Sequence, residues 1–200
     1  MTRKLVLTLL ALALALAAGA TAALAATTRT TTDPGVTPTS ILLGGTAPLT
    51  GPQTAYASIA RGAKAYFDYV NSRGGVNGRR IEYIARDDAS DPVRTAAETR
   101  RLVEQDGVFA IFNSFGTEQN LAVRDYLNQR KVPQLFAASG ASALGSDPGR
   151  FPYTVGLRPT YTAEAWVLGQ YLARTQGAAR VGVLYENDGF GQELLSGLRR

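Results

Sequence analysis

From residue 41 onward, short apolar runs alternate with longer segments of helical period. The apolar runs predict four strands, at residues 41–47, 81–86, 108–112 and 134–138. Each of these runs is followed by an amphipathic segment. Alternation of strand and helix is typical of βαβ units and of a parallel sheet flanked by helices. The pattern therefore predicts an α/β fold.

Helical spacing and capping residues predict where the helices lie. The first helix has apolar residues at spacings of four, three and four, and the sequence NSRGG ends it. These apolar positions are Ile59, Ala63, Tyr66 and Val70. Asp91 is placed to cap the second helix, with Pro92 at its first position. The third helix is expected to present Ala122, Val123, Tyr126 and Leu127 on one face.

The rhythm changes after residue 138. The passage SGASALGSDPGRFPYTVGLRPTY is rich in turn residues, contains one extended run near residues 153–157, and predicts a crossing between domains. A helix at residues 162–175, a strand at 180–185 and a helix opening near Gln192 begin a second unit. One strand cannot make a sheet. We therefore expect a first lobe at 41–150, and at 151–200 the crossing with the start of a second, incomplete lobe.

The N-terminal segment has the features of an export signal. Arg3 and Lys4 precede a long uncharged run that ends in ALA at Ala25, which predicts a signal peptide over residues 1–26. An uncleaved membrane anchor is the alternative, since residues 5–26 carry no charge. Residues 27–40 are rich in Thr and Pro and poor in apolar side chains, and predict a flexible linker. We expect an exported protein.

Composition excludes several kinds of chemistry. The chain has no histidine and no cysteine, which removes Ser-His-Asp and Cys-His mechanisms and any disulfide within it. Its net charge is +5, and subtracting Arg3 and Lys4 leaves +3. The basic residues are scattered along the chain, so solvated helix faces explain them better than nucleic-acid binding does.

Loops at the carboxyl ends of parallel strands are the candidate binding sites. The loop PLTGPQTAY lacks the glycine spacing of either phosphate-binding motif. The loop NSFGTEQN presents Ser114, Gly116 and Thr117 at a helix start, where N–H groups can receive a carboxylate; simple capping by Thr117 is the alternative.

Two further loops are weaker candidates. AASGAS, residues 137–142, has small side chains that permit close approach of a ligand or make an ordinary turn. The aspartates Asp87, Asp88 and Asp91 lack the spacing of an EF-hand calcium loop, so capping and solvation account for them better.

An ordered series of motifs resembles one family. GGTAPLTGPQTAYASIARGAKAYFDYVNSRGGVNGRRIEYIARDDASDPVRTA is similar to the N-terminal lobe of type I periplasmic binding proteins of the branched-chain amino acid (Leu/Ile/Val-type) ABC transport family. The similarity continues through VPQLFAASGAS, FPYTVGLRPTYTAEA and VGVLYENDGFGQELLSGL. It implies two α/β lobes that close over a small solute, most simply an amino acid, and present it to a membrane permease, without a cofactor or catalysis.

The resemblance also implies which residues contact the solute. Tyr56 matches the aromatic residue of the first loop, and Ser114, Gly116 and Thr117 match the loop that grips a carboxylate. The turn after the fourth strand contributes Ala138, Ser139 and Gly140, with Gly140 where a Thr is common. Tyr161 lies near the crossing, and Phe190 stands where a Tyr is frequent. The carboxylate that binds an amino acid's ammonium group lies later in the family's second lobe, beyond these residues.

Two other functions are also compatible with the sequence pattern. A Rossmann-type nucleotide enzyme would share the βαβ rhythm, but the sequence lacks that fingerprint. A ligand-sensing domain for amides or aromatic acids would share the fold and signal to a partner in place of delivering cargo.

Overall fold

The computed structural model describes residues 33–177 and 180–200. The predicted signal peptide and residues 27–32 of the predicted linker lie outside the described residues. Within the described ranges, no helix is both long enough and apolar enough to cross a membrane.

The centre of the fold is a five-stranded sheet in which all paired strands are parallel. Its strands are β1 (Ser40–Ala47), β2 (Arg80–Asp87), β3 (Ala110–Phe112), β4 (Gln134–Ala137) and β5 (Thr154–Gly156). Their spatial order is β2-β1-β3-β4-β5. In the register, Ser40 lies opposite Arg80 and Leu43 opposite Ala110. The predicted α/β fold with a parallel sheet is confirmed.

Within residues 33–177 and 180–200, five helices accompany the sheet. They are α1 (Ala57–Ser72), α2 (Pro92–Glu104), α3 (Thr117–Gln129), α4 (Tyr161–Gln176) and α5 (Gly189–Leu198). Short 3₁₀ turns at Thr54–Tyr56 and Ser142–Leu144 complete the elements. The carboxylate of Asp91 accepts hydrogen bonds from the backbone N–H groups of Val93 and Arg94, so the predicted cap of α2 is confirmed.

Helices α2 and α3 cover one face of the sheet. Leu102 of α2 and Val123 and Leu127 of α3 pack with Ile111 of β3 in a fully buried cluster. Each of these side chains stabilises the fold by about 1.5–3 kcal/mol through its removal from water. Ala122, which the helical pattern placed on the same face, is exposed.

Helix α1 covers the opposite face, with a different buried residue from the one predicted. Phe67 is buried and packs edge-on against Tyr83 and Phe112, with ring centroids 5.6 and 5.1 Å away. Tyr66 is 63% exposed and lies beside Tyr69 on the surface. Helical spacing predicted Tyr66 as the buried residue, and this prediction is wrong. Both residues are aromatic, and only the position of the sheet determines which of them is buried.

The two glycines of ILLGGTA have a packing role. A Cβ on Gly44 would lie 2.8 Å from Cδ2 of Leu102, and one on Gly45 would lie 2.5 Å from the carbonyl oxygen of Phe112. Strand β1 is central, so both of its faces are crowded. These glycines therefore let neighbouring elements approach the strand closely.

The C-terminal end of the predicted linker belongs to the sheet. The carbonyl of Thr37 accepts a hydrogen bond from Nε of Arg79, the carbonyl of Thr39 accepts one from the N–H of Arg80, and Ser40 begins β1. The prediction of a flexible linker up to residue 40 is thus wrong for residues 37–40. Backbone groups of this segment find partners on the β2 side of the sheet.

The C-terminal part differs from its prediction in two respects. Strand β5 pairs with β4 and so extends the first sheet past residue 150, where the lobe boundary was predicted. Residues 180–185, predicted as a strand, have no regular secondary structure. A strand needs a neighbour to satisfy its backbone, and all five strands within the described part of the chain belong to the first sheet.

Candidate functional site

A cavity of about 560 Å³ opens at the carboxyl edge of the sheet. In the strand order, β1 connects outward to β2, whereas β3 connects outward to β4 on the other side. The loops after β1 and β3 therefore diverge, which makes their junction the switch point where open α/β sheets bind ligands. The cavity volume lies within the range typical of small-molecule sites.

The cavity brings together five of the nine predicted site residues. They are Tyr56, Gly116, Thr117, Tyr161 and Phe190. Further lining residues that sequence reasoning missed are Gln53, Ser90, Phe115, Gln119 and Arg158. The first three of these lie in loops that follow β1, β2 and β3.

Two aromatic pairs form walls of the cavity. Tyr56, which is 49% exposed, stacks on Phe115 with ring centroids 4.2 Å apart and an interplanar angle of 18°. Phe190 meets Tyr161 edge-on at 4.8 Å. Phe115 could have been predicted as a lining residue, because it is an aromatic residue in a loop directly after a buried strand. Such walls suit an apolar or aromatic part of a ligand.

The start of α3 contributes polar groups to the cavity. Gly116 precedes the helix with φ of 100°, and the side chain of Gln119 fills the space that a Cβ at Gly116 would need. Among the described residues, no side chain caps this helix, so capping by Thr117 is not its role. The hydroxyl of Thr117 instead lies 2.8 Å from that of Ser139 in a buried pair.

The other predicted residues lie behind the cavity lining. The hydroxyl of Ser114 accepts the N–H of Thr46 at 3.0 Å, and the carbonyl of Ala138 accepts the N–H of Gly116 at 3.4 Å. Ser139 is buried beneath Thr117. These groups form hydrogen bonds with other residues of the same lobe. Their contact with a ligand stays a prediction.

Gly140 also lies outside the lining and has no room for a side chain. A Cβ there would stand 2.8 Å from the carbonyl oxygen of Pro159 and 2.9 Å from the ring of Tyr161. The N–H of Tyr161 donates to the carbonyl of Gly140 at 2.8 Å. A threonine at this position would therefore require α4 to shift.

Charged side chains concentrate on the side of the cavity nearest α4 and α5. The lining carboxylates are Glu118, Glu164, Glu186 and Asp188, and the lining cation is Arg158. Glu118 accepts the N–H of Gly189 at 3.0 Å, and Asp188 accepts that of Gly191 at 2.9 Å. These two carboxylates connect and cap the helices that border the cavity. Within residues 33–177 and 180–200, acidic groups do not cluster in a way that would hold a metal ion.

Asp87 fixes the loop that brings Tyr56 to the cavity. Its carboxylate accepts the N–H groups of Leu49 and Thr50 at 2.9 and 3.0 Å, and contacts Arg94 at 2.7 Å. Burial raises the pKa of Asp87. Hydrogen bonds from the hydroxyl and N–H of Thr50 and from the N–H of Ala89, together with the charge of Arg94, outweigh burial and lower the pKa to about 2. The neighbouring Asp88 is fully buried, and burial raises its pKa. Both aspartates thus serve the loops around the cavity.

Known proteins resemble this chain over most of its described length. The Leu/Ile/Val-binding protein homolog 2 of Brucella abortus is 28% identical over 170 residues, which cover 77% of this chain and 41% of the relative. A solved structure of a possible leucine/isoleucine/valine-binding protein from Rhodopirellula baltica superposes with a TM-score of 0.73 and 25% identity, over 80% of this chain and 43% of that one.

A third similar protein holds a different kind of molecule. The solute binding protein of an ABC transporter from Rhodopseudomonas palustris, solved in complex with 3,4-dihydroxybenzoic acid, matches with a TM-score of 0.70 and 26% identity, over 80% of this chain and 43% of that one. This chain thus spans about two fifths of the length of the relatives it matches.

A match over most of the sequence identifies the family of this chain. The sequence model of the periplasmic binding protein family matches residues 40–200. Its members are solute-binding proteins, so the alternative of a Rossmann-type nucleotide enzyme is not supported. The parallel sheet, the cavity at the switch point and this match agree, and the chain belongs to the periplasmic binding protein family.

Proposed function

We propose that this chain belongs to an extracytoplasmic receptor that captures a small solute between two lobes and delivers it to the permease of an ABC transporter. The observation that carries the proposal is the cavity at the switch point, which Tyr56, Thr117 and Phe190 line. Export follows from the predicted signal peptide. The permease partner follows from the family resemblance.

The favoured solute is a branched-chain or related amino acid. Its carboxylate would sit at the start of α3, where first-turn N–H groups and the positive end of the helix dipole favour an anion. Its side chain would lie against the pair formed by Tyr56 and Phe115. The names of the Brucella and Rhodopirellula relatives support this class of ligand.

The buried hydroxyl pair allows Thr117 to act as a donor to a ligand. The hydroxyl of Ser139 accepts the N–H of Ala141 at 3.1 Å and lies 2.8 Å from that of Thr117. If Ser139 donates its proton to Thr117, the proton of Thr117 is left to donate to a ligand. Ser139 would then act through Thr117, although it lies outside the cavity lining.

An aromatic acid is the second candidate ligand. Phe190 lacks the hydroxyl of the Tyr that is frequent in the family, and Gly140 lacks the hydroxyl of the common Thr. Both aromatic pairs line the same cavity and offer ring faces and edges to an aromatic ligand. The Rhodopseudomonas relative, solved with 3,4-dihydroxybenzoic acid, supports this alternative.

A thermal unfolding series on the full chain, meaning the complete mature protein with both lobes, tests the proposal. The probes are L-leucine, L-isoleucine, L-valine and 3,4-dihydroxybenzoic acid. A ligand present at about 100 times its Kd should stabilise the native state by about 2.7 kcal/mol. Stabilisation by an amino acid supports the first candidate, and stabilisation by the aromatic acid alone supports the second. No stabilisation by any of the four would contradict both.

A further inference from the structure

One hydrogen-bond network joins all three loops on the sheet side of the cavity. The hydroxyl of Ser90 donates to Oε1 of Gln53 at 2.7 Å, and Nε2 of Gln119 donates to the carbonyl of Ser90 at 2.5 Å. Gln53 follows β1, Ser90 follows β2, and Gln119 lies in the first turn of α3, after β3. All three residues line the cavity.

The loop at the centre of this network has an unfavourable backbone conformation. Ala89 and Ser90 have φ values of 50° and 61°, in the left-handed region that side chains other than glycine disfavour. Such a conformation persists only where surrounding contacts hold it. The N–H of Ala89 donates to Asp87 at 3.1 Å, and that of Ser90 donates to the buried Asp88 at 3.0 Å.

Gln119 is the member that connects this loop to the start of α3. Its side chain is 8% exposed and occupies the space next to Gly116. Its amide N–H group reaches the carbonyl of Ser90 across the cavity wall. The buried amide of Gln119 has a short hydrogen bond to this strained loop. The bond fixes the distance between the loop and the start of α3, which are two walls of the same cavity.

We propose that Gln119 is a positioning residue for the solute, holding the loop of Ala89 and Ser90 against the start of α3 so that the cavity is formed before the ligand arrives. The inference rests on the proposed function, because it concerns the same cavity. A preformed site loses less conformational freedom on binding. Gln119 thus acts on affinity through Ser90 and Gly116, with the side chain of Ser90 anchored in turn by Gln53.

The test variant is Gln119→Met in the full chain. Methionine has a similar length and helix propensity, carries no charge, and has no N–H to donate. Gln129→Met is the matched control, since Gln129 is the exposed last residue of the same helix. Amide hydrogen exchange is measured over residues 87–92 and over α3 in the ligand-free chain, and the Kd for L-leucine is measured by calorimetry.

We expect Gln119→Met to raise exchange over residues 87–92 by about tenfold while exchange across α3 keeps its unmodified rate. The Kd for L-leucine should rise by about tenfold as well. Gln129→Met should change neither quantity.

Three results would overturn the proposal. One is unchanged exchange over residues 87–92, another is faster exchange across the whole of α3, and the third is faster loop exchange with an unchanged Kd. A fourth result separates this inference from the proposed ligand: if the unmodified chain does not bind L-leucine while the loop still responds to Gln119→Met, the amino-acid proposal fails and the positioning role in the free protein stands.

Discussion

The sheet region and the C-terminal region of the described chain contain the same apolar residue types but bury them to different extents. In the sheet region, residues 40–156, Leu102 and Leu127 are fully buried between helices and sheet. In the C-terminal region, residues 157–200, Leu168 is 53% exposed and Leu184 is fully exposed. Helices α4 and α5 have each other and the edge of the first region to pack on. Burial, and with it stability, is decided by the layers available to a side chain.

Two apolar runs make the same comparison for strands. VFAIF becomes β3 because β1 and β4 lie on either side of it and pair with it. RVGVLY has a similar pattern and stays irregular in the described structure, with Val181 and Val183 exposed. Apolar pattern therefore predicts a strand only where a neighbouring strand is present.

The largest expected effect contrasts two leucines. Leu102→Ala should lower the free energy of unfolding by about 2–5 kcal/mol, because it opens a cavity in the core between α2 and the sheet. Leu168→Ala makes the same chemical change on the exposed side of α4 and should stay within about 0.5 kcal/mol. Urea denaturation of both variants measures the difference. Equal losses would show that the two regions are equally packed.

A second prediction concerns the junction between the regions. Gly140→Ala should destabilise the chain by about 1–3 kcal/mol, since the added methyl group meets the carbonyl of Pro159 and the ring of Tyr161. Gly62→Ala is the control, because Gly62 lies in α1 with open space around it. That change should stabilise the helix by about 0.5–1 kcal/mol. The prediction fails if thermal unfolding shows the same sign for both substitutions.

A third prediction concerns a bond that ties α5 to the first region. Both carboxylate oxygens of Glu193 lie 3.1 Å from the N–H of Ser142, and one accepts its hydroxyl at 2.8 Å. Glu193→Ala should raise hydrogen exchange in α5 by about tenfold, as a charge-assisted bond is lost. Exchange in α2 should keep its rate. Equal acceleration in α2 would mean that the two regions unfold as one unit.

The smallest expected effect depends on pH. Because the folded pKa of Asp87 lies near 2, below its ordinary value of 3.8, its contribution to stability is present above about pH 4 and is lost as the pH falls towards 2. Asp87→Asn removes this contribution at every pH, so the difference in unfolding free energy from the unmodified chain should shrink over that interval. Asp68→Asn, in an exposed pair with Lys64, is the control and should change little. A constant difference between pH 5 and 2 for Asp87→Asn would contradict the assignment.

The sequence predicted the fold better than it predicted the site. The first four strands of the sheet and the cap at Asp91 follow from the local pattern of their own segments, as Ile111 and Pro92 illustrate. Strand β5, which the pattern assigned to the domain crossing, does not. The choice between Tyr66 and Phe67 depends on where the sheet lies, so helical spacing could not make it.

The site depends on contacts between distant segments. Sequence motifs placed Ser114 and Thr117 in the same loop, but only the structure shows that Ser114 bonds to β1 while Thr117 lines the cavity. Gln119 and Ser90 are far apart in sequence and meet through a hydrogen bond between a side chain and a strained backbone. Such a bond leaves no periodic signal in either segment.

The most direct test of the central claim is a calorimetric titration of the full chain with L-leucine, together with three variants. The claim is that the cavity at the switch point of the sheet holds the solute. Tyr56→Ala and Thr117→Ala should each raise the Kd by about tenfold, because they remove an aromatic wall and a hydroxyl from the cavity. Tyr66→Ala, on the exposed side of α1, should bind as the unmodified chain does. If all four proteins bind L-leucine with the same Kd, the solute lies elsewhere and the account is contradicted.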